Sequence, residues 1–124
     1  MRRSYRLPPG PKAVPAARKA VEDFYTHHLS DEMRETLRLL VSEVVTNGVR
    51  HGSASEPLEL QVRDHGDELE VEVRDNGEGF VPAPRRMAAD EVGGWGLFLV
   101  QRLADRWGVA RDRGTRVWFA VFAR

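Results

Sequence analysis

Residues 58–75 read LELQVRDHGDELEVEVRD, and their two-residue rhythm decides the fold class. Leu58, Leu60 and Val62 alternate with polar neighbours, and Leu69, Val71 and Val73 do the same beyond the turn residues Asp64-His65-Gly66-Asp67. Side chains alternate across a strand, so the pattern is an antiparallel hairpin with one buried face. One step further, the same alternation aims Asp75 inward. A carboxylate there is costly unless something hydrogen-bonds it.

Upstream of the hairpin the period changes from two to about 3.6. Ser30 suits the N-cap of a helix whose apolar stripe is Met33, Leu37, Leu40, Val41, Val44 and Val45. That helix reaches about His51, where Gly52 and the run Ser53 to Pro57 stop it. An earlier helix begins near Pro15, with Ala16, Ala20, Phe24 and Leu29 about a turn apart. Before it, Ser4 to Leu7 fits a short edge strand ended by Pro8-Pro9-Gly10-Pro11.

Downstream, Asn76 to Trp95 reads as an unusually long loop, and such loops are often functional. A third helix is expected from Gly96 through Leu97, Val100, Leu103 and Ala104, closing near Trp107-Gly108. A strand at Val109 to Asp112, a turn at Arg113-Gly114 and a strand at Thr115 to Phe122 complete the chain. The last strand is apolar on both faces, which fits a central strand or a protein interface. The order predicts an α+β, two-layer sandwich: a mixed, mostly antiparallel sheet with helices on one face.

With 124 residues, the expectation is one domain over 1–124. Basic and acidic residues balance at 19 each, which argues against direct nucleic-acid binding through a broad basic surface. Cysteine is absent, excluding disulfides and thiolate metal sites. No segment has the apolar length of a membrane span or the pattern of a signal peptide, so a cytoplasmic location is expected. Lys12 and Lys19, the only lysines, lie far from Gly77, Gly79, Gly94 and Gly96, which excludes a lysine-dependent phosphate loop there.

Four motifs carry chemistry. Asp75-Asn76-Gly77-Glu78-Gly79-Phe80 joins the inward carboxylate to two glycines that admit a sharp turn and a close ligand. Alone, it fits a capped strand end better. Gly93-Gly94-Trp95-Gly96 feeds directly into a helix, whose free N–H groups favour phosphate; Leu97, Val100 and Leu103 behind it read as packing. Glu43, Asn47 and His51 stand at i, i+4 and i+8 along one helix flank. There an amide oxygen can ligate Mg²⁺ and a carboxylate can polarise a hydroxyl. Gly114-Thr115 sets a hydroxyl at the start of the closing strand. His27, His28 and His65 read as surface or turn histidines.

In this order, Glu43-x-x-x-Asn47, Asp75-x-Gly77-x-Gly79, Gly94-x-Gly96 and Gly114-Thr115 resemble the N, G1, G2 and G3 boxes of the GHKL (Bergerat-fold, histidine-kinase-like) ATPase superfamily. The run Ser42 to Gly52 is similar to that of the anti-sigma factor serine/threonine kinases. The resemblance implies ATP and Mg²⁺ as cofactors. It implies Asp75 on the adenine amino group, Gly79 shaping the base pocket and Thr115 lining it, with Asn47 as the metal ligand. Glu43 becomes the general base, and Gly94 and Gly96 lie against the phosphates. Arg50, His51, Gly77, Phe80, Trp95, Leu97 and Gly114 join the implied nucleotide-contacting set, and Asn76 to Trp95 is the lid. The implied partners are a sigma factor and an anti-anti-sigma antagonist with a STAS domain, and the implied assembly is a homodimer. Arg50-His51 stand where relatives often carry a lysine, a departure at the phosphate end. A non-catalytic ATP-sensing module that binds a signalling partner is the alternative reading. A sensor histidine kinase fragment lacks room for a phosphoacceptor hairpin.

Overall fold

A computed structural model describes residues 1–25, 29–51, 56–75, 97–111 and 114–122. Strands β1 (Arg2–Leu7), β2 (Leu58–Asp64), β3 (Glu68–Arg74), β4 (Arg106–Arg111) and β5 (Thr115–Phe122) form one sheet in the order β1-β2-β3-β5-β4. The expected sheet was mixed and mostly antiparallel; each pairing among the described strands is antiparallel. Helices α1 (Ala13–Phe24), α2 (Asp31–His51) and α3 (Phe98–Leu103) complete the described elements, with a 3₁₀ turn at Gly10–Lys12.

The hairpin forms where its alternation placed it. Gly66, at φ +94°, gives its N–H to Asp64 Oδ1 at 2.8 Å, and His65 N–H reaches the Glu68 carbonyl at 2.9 Å. Glycine meets the positive φ at no steric cost, and the short aspartate satisfies the turn locally. Leu60, Val62, Leu69, Val71 and Val73 all face the helices and are buried. On β5, Val117, Phe119 and Val121 continue that layer. Because β5 lies between β3 and β4, its doubly apolar character is that of an interior strand.

Ser30 caps α2 as expected, its Oγ accepting Met33 N–H at 3.1 Å. Asp31 and Glu32 in the first turn and Arg50 and His51 in the last complement the helix dipole. Leu37, Leu40, Val41, Val44 and Val45 are buried, and α2 packs on α1, β3 and α3.

Two expectations need correction. Helix α1 starts at Ala13, and its buried side is Ala13, Ala17 and Val21, continued by Tyr25; Ala16, Ala20 and Phe24 lie at its margin. Alanines at both spacings left two faces nearly equal in hydrophobicity. The deciding weight comes from Tyr25, which donates to the Arg63 carbonyl at 2.6 Å and so fixes the rotation of the helix. The second correction concerns α3, which stops at Leu103, with Ala104 already extended at ψ 149°. Trp107 and Gly108 belong to β4, opposite Phe119 and Trp118. A Trp-Gly pair resembles a helix end locally, but the strand ladder offers its backbone more hydrogen bonds.

Candidate functional site

The C-terminal end of β3, the N-terminal ends of β2 and β5 and the later turns of α2 meet at one end of the sandwich. Gly48 makes the meeting close. A Cβ there would lie 3.0 Å from Leu58 Cδ1 and 3.4 Å from Val73 Cγ1, so any larger residue would press on these side chains where α2 meets the sheet. The neighbouring Asn47 is buried as well. Sequence reading singled out Asn47 and passed over Gly48, because the close approach is tertiary.

Three polar residues are buried among the described residues: Asn47 at 3% exposure, Asp75 at 5% and Thr115 at 4%. All three belong to the expected set. Asp75 and Thr115 bind each other twice. Asp75 N–H donates to the Thr115 carbonyl at 3.0 Å, and Thr115 N–H donates to Asp75 Oδ1 at 3.2 Å. Gly114, at φ +102°, makes the bend that delivers Thr115 to this position. Burial pushes the Asp75 carboxyl above its usual range, opposed by the Thr115 N–H and the Arg74 charge. Among the described residues Thr115 Oγ1 is buried without a hydrogen-bond partner. A desolvated acceptor beside an orphaned hydroxyl is a polar cradle for a ligand that brings its own donor and acceptor.

Glu43, one turn before Asn47, is engaged. Its two oxygens accept Leu99 N–H, each at 2.8 Å, and Oε2 also accepts Val100 N–H at 3.2 Å. An open groove of about 290 Å³ runs beside this contact, lined by Leu39, Ser42, Glu43, Thr46, Asn47, Arg50 and Leu99. Arg50 is exposed and His51 half-buried at the end of α2. Leu97 is wholly buried, which assigns its side chain to the core. Gly77, Gly79, Phe80, Gly94, Trp95 and Gly96, together with the expected lid, lie outside the described residues, as do His27 and His28. His65 is exposed in its turn.

The donor set fits the implied groups. An adenine amino group matches the Asp75 acceptor and the unsatisfied Thr115 hydroxyl. Among the described residues no group of three or more carboxylates and histidines gathers around one point. Mg²⁺ would therefore rest on Asn47 and on phosphate oxygens, the sparse protein ligation this ion commonly accepts. A second hollow, about 220 Å³ between α1 and α2, contains none of the expected site residues. No helix among the described residues is long and apolar enough to cross a membrane.

Comparison with known proteins agrees with this geometry. The family model described as the histidine kinase-like ATPase domain matches residues 7–121, nearly the full chain. No curated protein matches it.

Proposed function

Since the chain belongs to the histidine kinase-like ATPase domain family and is on that footing an ATP-binding domain, we propose a narrower role. It is an anti-sigma regulatory factor that phosphorylates a serine or threonine of a STAS-type antagonist and sequesters a sigma factor. The supporting observation is the buried Asp75–Thr115 pair, with its orphaned hydroxyl, at the sheet end where Gly48 of α2 meets Leu58 and Val73. Asp75 accepts from the adenine amino group. Asn47 would hold Mg²⁺, which would neutralise charge on the triphosphate. Glu43, four residues before Asn47, takes the proton of the partner's hydroxyl. The hydroxyl oxygen bonds to the γ-phosphorus, and the bond from that phosphorus to the ADP oxygen breaks with its electron pair leaving on ADP.

Calorimetry with ATP and Mg²⁺ on the parent and on Asp75→Asn tests the pocket. Binding that is lost, or weakened tenfold or more, in the variant is the expected result, on the order of the 1.4 kcal/mol carried by one good polar contact. Equal affinities would remove Asp75 from the site. Labelled ATP with candidate STAS domains tests the transfer, and bound nucleotide without labelled partner would reject the kinase.

One observation favours a second reading, an ATP-sensing module that binds its partner without chemistry. The Glu43 carboxylate, the only base offered for the reaction, is occupied by two backbone N–H groups. A homodimer and a cytoplasmic setting are part of the proposal in either form.

A further inference from the structure

We infer that the sheet face turned away from the helices binds an extended acidic segment of a partner protein, held at two points by opposed arginines. This face lies across the sheet from the Asp75 and Thr115 side chains and needs neither of them.

The strand register sets like charges directly opposite each other twice. Arg2 faces Arg63 across β1 and β2, and Arg74 faces Arg116 across β3 and β5. Such pairs cost a sheet stability unless an anion relieves them. The acids nearby answer only part of the charge. Arg63 meets Glu70 at 3.6 Å, and Arg116 meets Glu72 at 3.9 Å, too far for a hydrogen bond. Among the described residues no ion pair involves Arg2 or Arg74, although Glu59 stands opposite Arg74 in register. Arg2 is nonetheless held at the start of its strand, because Asp64 N–H donates to the Met1 carbonyl at 2.8 Å. A hollow of about 230 Å³ joins all four arginines, and Glu59 and Glu72 are the only carboxylates that line it. The surplus there is positive, and guanidinium forks match carboxylates in shape.

Spacing decides what fits. On β2, Arg63 lies four residues beyond Glu59, the partner of Arg74, and the two arginine pairs are centred two strands apart. With a rise of about 3.3 Å per residue and about 4.8 Å between strands, the pairs are about 16 Å apart. One small anion cannot bridge them. An extended chain covers that distance in about five residues. Midway between the pairs stand Gln61 and Glu72, themselves opposite each other. Glu72 repels an acid at the centre of the segment, so the surface selects two acidic ends around an uncharged middle and rejects a continuous acidic run.

Fluorescence anisotropy at low salt tests this with two labelled, end-blocked peptides of one composition. The spaced peptide is Asp-Asp-Gly-Ser-Gly-Asp-Asp, and the clustered one is Gly-Ser-Asp-Asp-Asp-Asp-Gly. The full chain should bind the spaced peptide about tenfold more tightly, and added salt should weaken that binding. Arg2→Ala and Arg116→Ala should each weaken it about tenfold, the effect of one charge-assisted contact. Arg116→Gln, which keeps a polar side chain of similar reach, serves if the alanine variant does not fold. Arg2→Ala should unfold in urea no earlier than the parent, since it removes a repulsion; a merely structural arginine would lower that midpoint. Absence of binding to the parent, or equal binding of the two peptides, would overturn the proposal. So would affinities unchanged in both variants. Sedimentation that shows a dimer dissociated by Arg2→Ala would give the face to a second copy of the chain and overturn the acidic segment.

Discussion

The two faces of the sheet come from the same strands and obey different rules. Toward the helices, Leu60, Val62, Val71, Val73, Val117 and Phe119 form one apolar layer. Toward the open side, the intervening positions carry arginine and glutamate in a cross-strand ladder: Arg63 with Glu70, Arg116 with Glu72, and Arg106 with Glu68. Like charges also stand directly opposite each other there, Arg2 beside Arg63 and Arg74 beside Arg116. The inner row is selected by packing and tolerates few shapes, whereas water and neighbouring acids soften the outer row. Asp75 and Thr115 are inner-row positions that carry polar groups. Their departure from the rule of their own face marks the site.

The largest test of the contrast is Phe119→Ala. Phe119 is wholly buried, with Val71 and Trp107 as its cross-strand partners. Truncation should cost about 3–5 kcal/mol in urea unfolding, from lost burial plus the cavity left behind. A loss near that of an outer-row arginine would show that the inner layer repacks freely and that the contrast is overstated.

Gly108 tests the opposite claim, that the outer face is forgiving everywhere. Trp118 lies across it, and a Cβ on Gly108 would meet the indole Nε1 at 2.7 Å and Cε2 at 3.0 Å. Arg106 covers the same ring at 5.5 Å. Gly108→Ala should therefore cost about 1–3 kcal/mol, an overpacking penalty. Trp118→Ala in the same chain should relieve most of that increment. If the alanine is silent by itself, the indole moves without resistance and the outer face has no fixed point.

These elements also show what could be read in advance. The hairpin and the inward Asp75 were legible because period-two alternation is local and both faces of the pattern lie in the sequence. The cap on α2 was legible because Ser30 and its first turn are adjacent. The end of α3 was not, because Trp107 and Gly108 become strand only through pairing with Phe119 and Trp118, residues of another segment. For the same reason Gly48 gave no signal. Glu43 was visible as a carboxylate on the right flank, but its use as the cap of α3 depends on a contact that no local pattern encodes.

A smaller effect is expected from the charge on Asp75 itself. Its carboxyl titrates above the ordinary aspartate value of about 3.9, chiefly because burial disfavours the charged form. The folded chain then binds more protons than the unfolded one between the two pKa values. The contribution of Asp75 to stability therefore falls as pH rises through that window and changes little above it. Asp75→Asn removes the charge and keeps an acceptor for the Thr115 N–H. It should flatten this part of the pH–stability curve and be no less stable than the parent at pH 7. A difference between parent and Asp75→Asn that rises with pH across the window would mean that the folded state favours the ionised acid, and the polar cradle would lose its desolvated acceptor.

The smallest effect concerns the outer row where Arg63, Glu70 and His65 meet. Arg63 and Glu70 are direct cross-strand partners at 3.6 Å, with side-chain exposures of 34% and 18%. His65 reaches the same carboxylate at 3.3 Å, and Tyr25 donates to the backbone carbonyl of Arg63 from the inner side. Arg2 stands opposite Arg63 with the same charge, so part of the attraction to Glu70 is offset by repulsion. A double-mutant cycle of Arg63→Ala and Glu70→Ala should therefore give a coupling of about 0.2–1 kcal/mol that shrinks in high salt. The carbonyl bond from Tyr25 is a backbone contact and survives both truncations, which keeps the cycle specific to the ion pair. A salt-insensitive coupling well above this range would place the outer ladder among the forces that hold the fold, and the difference between the two faces would then be one of chemistry but not of weight.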